Sequence, residues 1–455
     1  MGVSGEEARK AQEVGRGDQQ QVKRAIGASV VGTAIEWYDS FLYGTAAALV
    51  FPTVFFPESS SAAGTLESFA TFAVGFAARP VGAAIFGHWG DRIGRKATLI
   101  ATLLTMGIAT AIIGLIPSAD SIGLWAPVLL VLMRIMQGIG VGGEWSGSIL
   151  LAMEWGNPKR RGLNASWPQV GVPIGLLLAN GAVRLFEHLT GDAWLDWGWR
   201  IPFLLSLVLV AIGLYVRLRI LETPVFARAI ETETTHKAPV LEVIKRNPKE
   251  ILLSALLRLA EQMPFYLFTV YILSYGVTEV GLSEEFLLNS VLAAAALSLF
   301  SIPFFGNLSD KIGRKRVYMT GATLVGLLAI PYFLAINSGV TIFVFLAIFL
   351  SLVPHDMMYG PQASLIAESF STGLRYSGAG LGYQLASVFA GGPAPLVAAA
   401  LYNSYGTGYA VAAYIIVGAV LTLIATALIP DRSKIDIDDD AAYDAPTSRR
   451  AGASA

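Results

Sequence analysis

Residues 87–96 read GHWGDRIGRK, and residues 306–315 read GNLSDKIGRK. Six of the ten positions are identical, a seventh exchanges Arg92 for Lys311, and the two stretches lie 219 residues apart. Each sits between apolar runs long enough to cross a membrane. A charged, glycine-punctuated turn repeated between such runs marks two homologous membrane halves, which is the sequence pattern of a transporter. A second repeat supports the halves. Glu154 and Arg161, then Glu368 and Arg375, stand seven residues apart at the end of an apolar run.

Composition bounds the class. The 455 residues are 54% hydrophobic and 14% charged, with a mean hydropathy of +0.58. Ordinary soluble domains carry about 25% charged residues, so this chain has too little polar surface to cover a water-facing globule. A net charge of −1 speaks against a nucleic-acid partner. Cysteine is absent, which excludes a disulfide framework and thiolate metal sites. The polar N-terminus lacks the apolar core of a signal peptide, so the first apolar run is expected to direct insertion itself.

A hydrocarbon core about 30 Å thick takes about 20 residues of helix. That ruler predicts twelve spans, at 23–54, 66–89, 97–117, 124–152, 163–186 and 199–220, then 251–275, 287–307, 318–336, 341–366, 378–401 and 408–429. The expected organisation is a tail (1–22), a six-helix half (23–220), a polar central loop (221–250), a second six-helix half (251–429) and an acidic tail (430–455) too polar to pack. The N-tail, the even-numbered loops and the C-tail hold 27 of the 32 Lys and Arg. By the positive-inside rule both termini are expected to be cytoplasmic, in a multi-pass protein of the plasma membrane.

These residues resemble the major facilitator superfamily, through the two Gly-x-x-x-Asp-Arg/Lys-x-Gly-Arg-Lys turns. Within it the chain is similar to the metabolite:proton symporter family. Gly32, Thr33, Glu36, Trp37, Tyr38, Asp39 and Tyr43 carry this likeness in the first helix, and Arg79-Pro80 in the second. Arg134, Gln137, Gly138, Gly142, Gly143, Glu144 and Trp145 carry it in the fourth, and Glu222, Thr223, Pro224 and Phe226 in the central loop. The resemblance implies an all-α membrane fold and uptake of a small organic solute driven by the proton gradient. Family members carry shikimate, dicarboxylates such as α-ketoglutarate, citrate, or proline and betaine. The seventh-helix stretch with Arg258, Ala260, Glu261, Gln262, Phe265, Tyr266, Phe268 and Thr269 looks most like the shikimate-type branch. The C-tail has no heptads, unlike the osmosensing proline/betaine members.

Ionisable groups at membrane depth carry the functional reading. Each costs about 2.5–3.5 kcal/mol at mid-bilayer on insertion scales, so each needs a partner or a wet cavity. Arg79 and Arg134 fall near the middle of their helices, and a guanidinium fork suits a carboxylate. Glu36 and Asp39 are three residues apart on one helix face. Two carboxylates in a low dielectric do not both ionise cheaply, which suits a proton carrier. The competing reading pairs them with Arg79 or Arg134 as structural charges. Glu261, with Arg258 on its face, and His355-Asp356 are further proton-coupling candidates, the histidine as a relay. Tyr38, Tyr43, Gln137, Gln262, Tyr266, Tyr359 and Gln384 add hydrogen-bonding groups for substrate. Asp91, Arg92, Arg95, Glu144, Glu154 and Arg161 are expected at a gate with Asp310, Arg314, Glu368 and Arg375, the aspartates capping or pairing with a neighbouring helix end.

Gly138, Gly140 and Gly143 spell a dinucleotide fingerprint, but inside an apolar helix the pattern reads as close helix packing. No cofactor or metal site and no enzyme constellation is expected. The partners expected are a small organic anion, protons and lipid, for a chain working as a monomer. An exporter, a proton-independent anion exchanger, or a receptor or scaffold without transport would share the fold.

Overall fold

In the computed structural model of the chain, the described residues are 5–93, 95–155, 158–218, 239–371 and 374–433. Eleven helices among them are long and apolar enough to cross a membrane. The twelfth, α1 (Gly5–Leu49), is less apolar because it carries a charged stretch before Ala25 as well as Glu36 and Asp39. It is nonetheless buried from Ala28 onward and runs along α5 (Arg161–Thr190), from Thr33 beside Gly171 to Thr45, whose hydroxyl donates to Asn180 Oδ1.

The remaining helices follow the sequence spacing closely. The first half continues with α2 (Ser61–Ile93), α3 (Arg95–Leu115), α4 (Trp125–Gly142 and Trp145–Trp155) and α6 (Arg200–Leu218). The second half comprises α7 (Pro248–Thr278), α8 (Glu284–Ile312), α9 (Arg314–Asn337), α10 (Thr341–Ala367), α11 (Arg375–Tyr405) and α12 (Gly408–Leu428). Two expectations about the connections need correction. The first helix starts at Gly5, within the segment read as a tail, and the loop assigned to 221–250 contains a helix at Pro239–Arg246 with α7 already under way at Pro248. Pro239 and Pro248 open these helices, where a missing N–H costs nothing. Residues 219–238, with Glu222, Thr223, Pro224 and Phe226, and the tail beyond 433 lie outside the described residues.

Helices α2 and α4 meet backbone to backbone. A Cβ at Gly138 or Gly142 would collide with the carbonyls of Gly75 and Arg79, and one at Gly82 with that of Ile139. Small residues let two helices approach this closely without lipid between them. The dinucleotide-like glycines are therefore packing residues.

Besides α4, helices α7 and α11 are interrupted near the charged centre. Helix α7 breaks at Arg258 and carries a π-helical turn at Leu267–Tyr271; α11 carries another at Ser387–Gly391. Such turns widen the helix by one residue and often mark functional sites. The halves touch along α5–α8 and α2–α11, so the charged centre is enclosed on both sides.

Candidate functional site

The first-half cluster is built by α1, α2, α3 and α4. Arg134 reaches across α4 into the space that Gly75 leaves open on α2. Its Nη1 donates to Gln137 Oε1 at 3.1 Å and its Nε to the Phe72 carbonyl at 3.4 Å, while Nη2 has no hydrogen-bond partner. The guanidinium lies 4.3 Å from the Tyr43 ring centroid and 4.7 Å from that of Phe72. Arg79 donates to Ser40 Oγ at 3.3 Å and lies 3.8 Å from the Phe76 centroid. Phe76 is also 5.5 Å from Arg134, so one ring serves two cations. Cation–π contacts of this kind are worth about 0.5–2 kcal/mol.

Asp39 faces this cluster, within electrostatic reach of Arg134 and beside Thr110. Both of its carboxylate oxygens lack a hydrogen-bond partner. Thr110 directs its hydroxyl to the Met106 carbonyl at 3.0 Å and accepts from Gln137 Nε2 at 2.6 Å. Among the described residues neither Glu36 nor Asp39 forms an ion pair with Arg79 or Arg134, which corrects the reading of them as structural partners. Nor are the two carboxylates each other's nearest charge. Glu36 faces Glu144, Arg79 and Arg217 instead.

Two further residues turn away from the expected places. Glu144 is paired with Arg217 of α6, which also donates to the Leu99 carbonyl. This buried pair lies within one half, so Glu144 does not bridge the gate. Tyr38 points its hydroxyl at the Pro202 carbonyl, 2.6 Å away on α6, and serves helix packing. One residue of helix rotates it about 100° from Asp39. Tyr43, by contrast, donates to Thr71 Oγ1 at 2.8 Å and stays beside Arg134.

The second-half cluster pairs each of its carboxylates, although Arg258 Nη2 and Gln362 Oε1 keep no hydrogen-bond partner. Arg258 Nε meets Glu261 Oε2 at 3.2 Å, and its Nη1 donates to the Tyr383 carbonyl. Glu261 also accepts from Gln362 Nε2 at 2.8 Å and faces His355 Nε2 at 3.5 Å. His355 Nδ1 lies 2.8 Å from Asp356, whose other oxygen accepts from Ser301. The imidazole stacks between Phe265 and Tyr359, at 4.6 and 5.2 Å.

Between the clusters, side chains from both halves interlock. Tyr266 of α7 places its ring against Phe72 and Phe76, at 5.7 and 5.2 Å, and its buried hydroxyl has no partner. Tyr383 of α11 stacks on Trp145 of α4 at 3.7 Å and takes the Arg258 guanidinium 3.3 Å from its centroid. Gln262 donates to Ser387, Gln384 donates to the Gly142 carbonyl at 3.4 Å, and the Tyr359 carbonyl accepts from Gln169. The amide oxygens of Gln169, Gln262 and Gln384 are buried without donors.

The terminus-bearing face is closed by a charged lock. Asp310 accepts from the Gly162 and Leu163 N–H groups, both at 2.9 Å, and so caps α5 from the other half. Arg314 joins Asp310 at 2.9 Å and Glu368 at 2.7 and 2.8 Å, and Arg161 approaches Glu368 at 3.5 Å. Arg375 donates to the Phe370 carbonyl. The side chains of Asp91, Arg92, Arg95 and Glu154 lie outside the described residues. On the opposite face Arg184 of α5 pairs with Glu285 of α8 at 2.5 Å.

Sequence reading missed Arg217, inside the predicted 199–220 span, and Gly75, Thr110, Ser40, Ser301 and Ser387. Small and hydroxyl residues in apolar helices are too common to single out. Arg217 was the exception, since its place in the last turn of a long apolar run made it a burial candidate.

A family profile described as Major Facilitator Superfamily matches residues 30–390 and 287–447. The shikimate transporter of Escherichia coli (strain K12) is 43% identical over 419 residues, covering 91% of this chain and 96% of that protein. The proline/betaine transporter of the same strain is 35% identical over 417 residues, covering 90% and 83%. Among solved structures, the proton:xylose symporter XylE bound to 6-bromo-6-deoxy-D-glucose superposes with a TM-score of 0.72 at 18% identity, covering 91% of this chain and 97% of that one. With twelve helices in two halves around a buried charged centre, and with relatives of this kind along almost its whole length, the chain is a membrane transport protein and belongs to the major facilitator superfamily.

Proposed function

We propose that this transporter imports a small carboxylate-bearing metabolite by proton symport, through alternating access, with both termini cytoplasmic. The observation that carries the reading is the pairing of opposite needs in the first half. Arg134 has a buried N–H without an acceptor, and Asp39 has a buried carboxylate without a donor. A solute carboxylate would satisfy Arg134 together with Arg79, and a proton on Asp39 would give that group a neutral state. Binding either one changes the field felt by the other, which is the coupling a symporter needs. The relative named a shikimate transporter supports a hydroxylated ring acid as the substrate class. The positive-inside bias supports the orientation, and the Asp310–Arg314–Glu368 lock would then close the cytoplasmic gate.

Uptake into proteoliposomes under an inward proton gradient tests this, with labelled shikimate, α-ketoglutarate and proline side by side. One carboxylate should accumulate, and an uncoupler should abolish it. Arg79→Lys keeps the charge but loses the fork, so that variant should fold and not accumulate solute. Normal uptake by Arg79→Lys would remove Arg79 from the site. Counterflow without any dependence on the proton gradient would make the protein an exchanger.

A further inference from the structure

The face opposite the termini holds a bowl of about 300 Å³ between the first turn of α2 and the last turns of α7 and α11. Its wall is rich in hydroxyls. Thr65 comes from α2, Tyr271 and Tyr275 from α7, and Tyr402 and Asn403 from α11; Glu279 is the one charged group and no cation lines it. The corresponding depression on the terminus-bearing face, between α2, α4 and α11, encloses only about 30 Å³. Exposure runs from Asn403 at the surface to Tyr271, buried at the deep end.

The π-helical turn of α7 connects this bowl with the charged centre. In a regular α-helix, five residues rotate a side chain by about 140° beyond a full turn, which would set Tyr271 away from Tyr266. The Ile272 N–H instead bonds the Leu267 carbonyl, five residues back, and the wider turn returns Tyr271 to the Tyr266 face. One face of α7 therefore offers a tyrosine to the bowl and another to the ring pair beside Arg79 and Arg134.

We propose that the bowl is a binding site for the hydroxylated face of a small organic acid. Its hydroxyls and amide hold the solute's hydroxyl groups while the carboxylate leads inward, because the bowl has no cation and Glu279 repels an anion. This rests on the carboxylate reading above. A site built to hydrogen-bond a hydroxyl rejects the analogue that lacks it, since its own polar groups are then left unpaired.

The test is binding to the purified full chain, read by ligand-observed saturation-transfer NMR. The two ligands are shikimate and 1-cyclohexene-1-carboxylate, which keeps the ring and carboxylate without the three hydroxyls. The wild type should prefer shikimate by about tenfold or more. Tyr271→Phe combined with Asn403→Leu should bring the ratio close to one, and Thr65→Val, from the other half, should lower it independently. Arg134→Lys should leave the ratio alone, because Gly75, which packs on Arg134, stands about 15 Å deeper along α2 than Thr65. An unchanged ratio in the bowl variants, or no preference in the wild type, overturns the proposal. If both acids bind without preference and both are lost in Arg134→Lys, the bowl fails and the carboxylate reading stands. Binding of neither acid sinks both.

Discussion

The two halves carry the same number of helices and bury charge in opposite ways. In the second half, Arg258, Glu261, His355 and Asp356 form a continuous chain of ion pairs and hydrogen bonds, with Gln362 and Ser301 completing it. In the first, Asp39 is equally buried yet neither of its carboxylate oxygens has a partner, while Arg134 and Arg258 each keep an unpartnered Nη2. A carboxylate held by cations and amides keeps its place, whereas an unpartnered carboxylate at the same depth is costly unless something transient uses it. On the proposed reading, the changing protonation sits at Asp39 in the first half.

Asp39→Asn gives the largest expected effect on that contrast. Proton-driven accumulation should fall to the equilibrium level, while detergent melting temperature should hold or rise because an unpaired buried carboxylate has been removed. A variant that loses accumulation by unfolding would erase the distinction between the halves. Glu261→Gln should act in the other direction, leaving Arg258 and His355 without their anion. Breaking a buried pair from one side costs about 3–5 kcal/mol, so its melting temperature should drop well below that of Asp39→Asn. Replacing Arg258 and Glu261 together by methionine should recover much of that loss, and a simple sum of the two single effects would show that the pair is not coupled.

The smallest effect is expected at the lock. Asp310→Asn weakens the cap on α5, a charged hydrogen-bonding contribution of about 1–3 kcal/mol. The chain has no native cysteine, so a cysteine placed at Ser146, which faces Gly380 across the halves, reports opening of that face. Its alkylation rate should rise roughly 5- to 100-fold in the Asp310→Asn background, and an unaltered rate would mean the cap does not hold the face shut.

The architecture was legible because membrane spans are set by length and hydropathy, and those survive without knowledge of packing. Each of the twelve runs overlaps a helix, and the repeated turn falls between the second and third helices of each six-helix set. The site was legible only as an inventory. Arg79, Arg134, Asp39 and Gln137 do converge, but spacing alone could not tell that Glu36 would lie nearer Glu144 than Asp39, or that Tyr38 would turn to α6. Helix rotation and tilt decide such choices, and they depend on neighbours far away in sequence. The π-helical turns had no sequence signal either, although they set which face of α7 and α11 looks inward.

The glycine seam between α2 and α4 has a mechanical consequence. Arg79 and Arg134 stand one on each of these helices, and the carbonyls packed against Gly138 and Gly142 leave neither helix room to slide past the other. The spacing of the two cations is thus fixed like the jaws of a caliper. Any change in the distance between the two guanidinium groups has to come from their side chains, not from movement of α2 against α4.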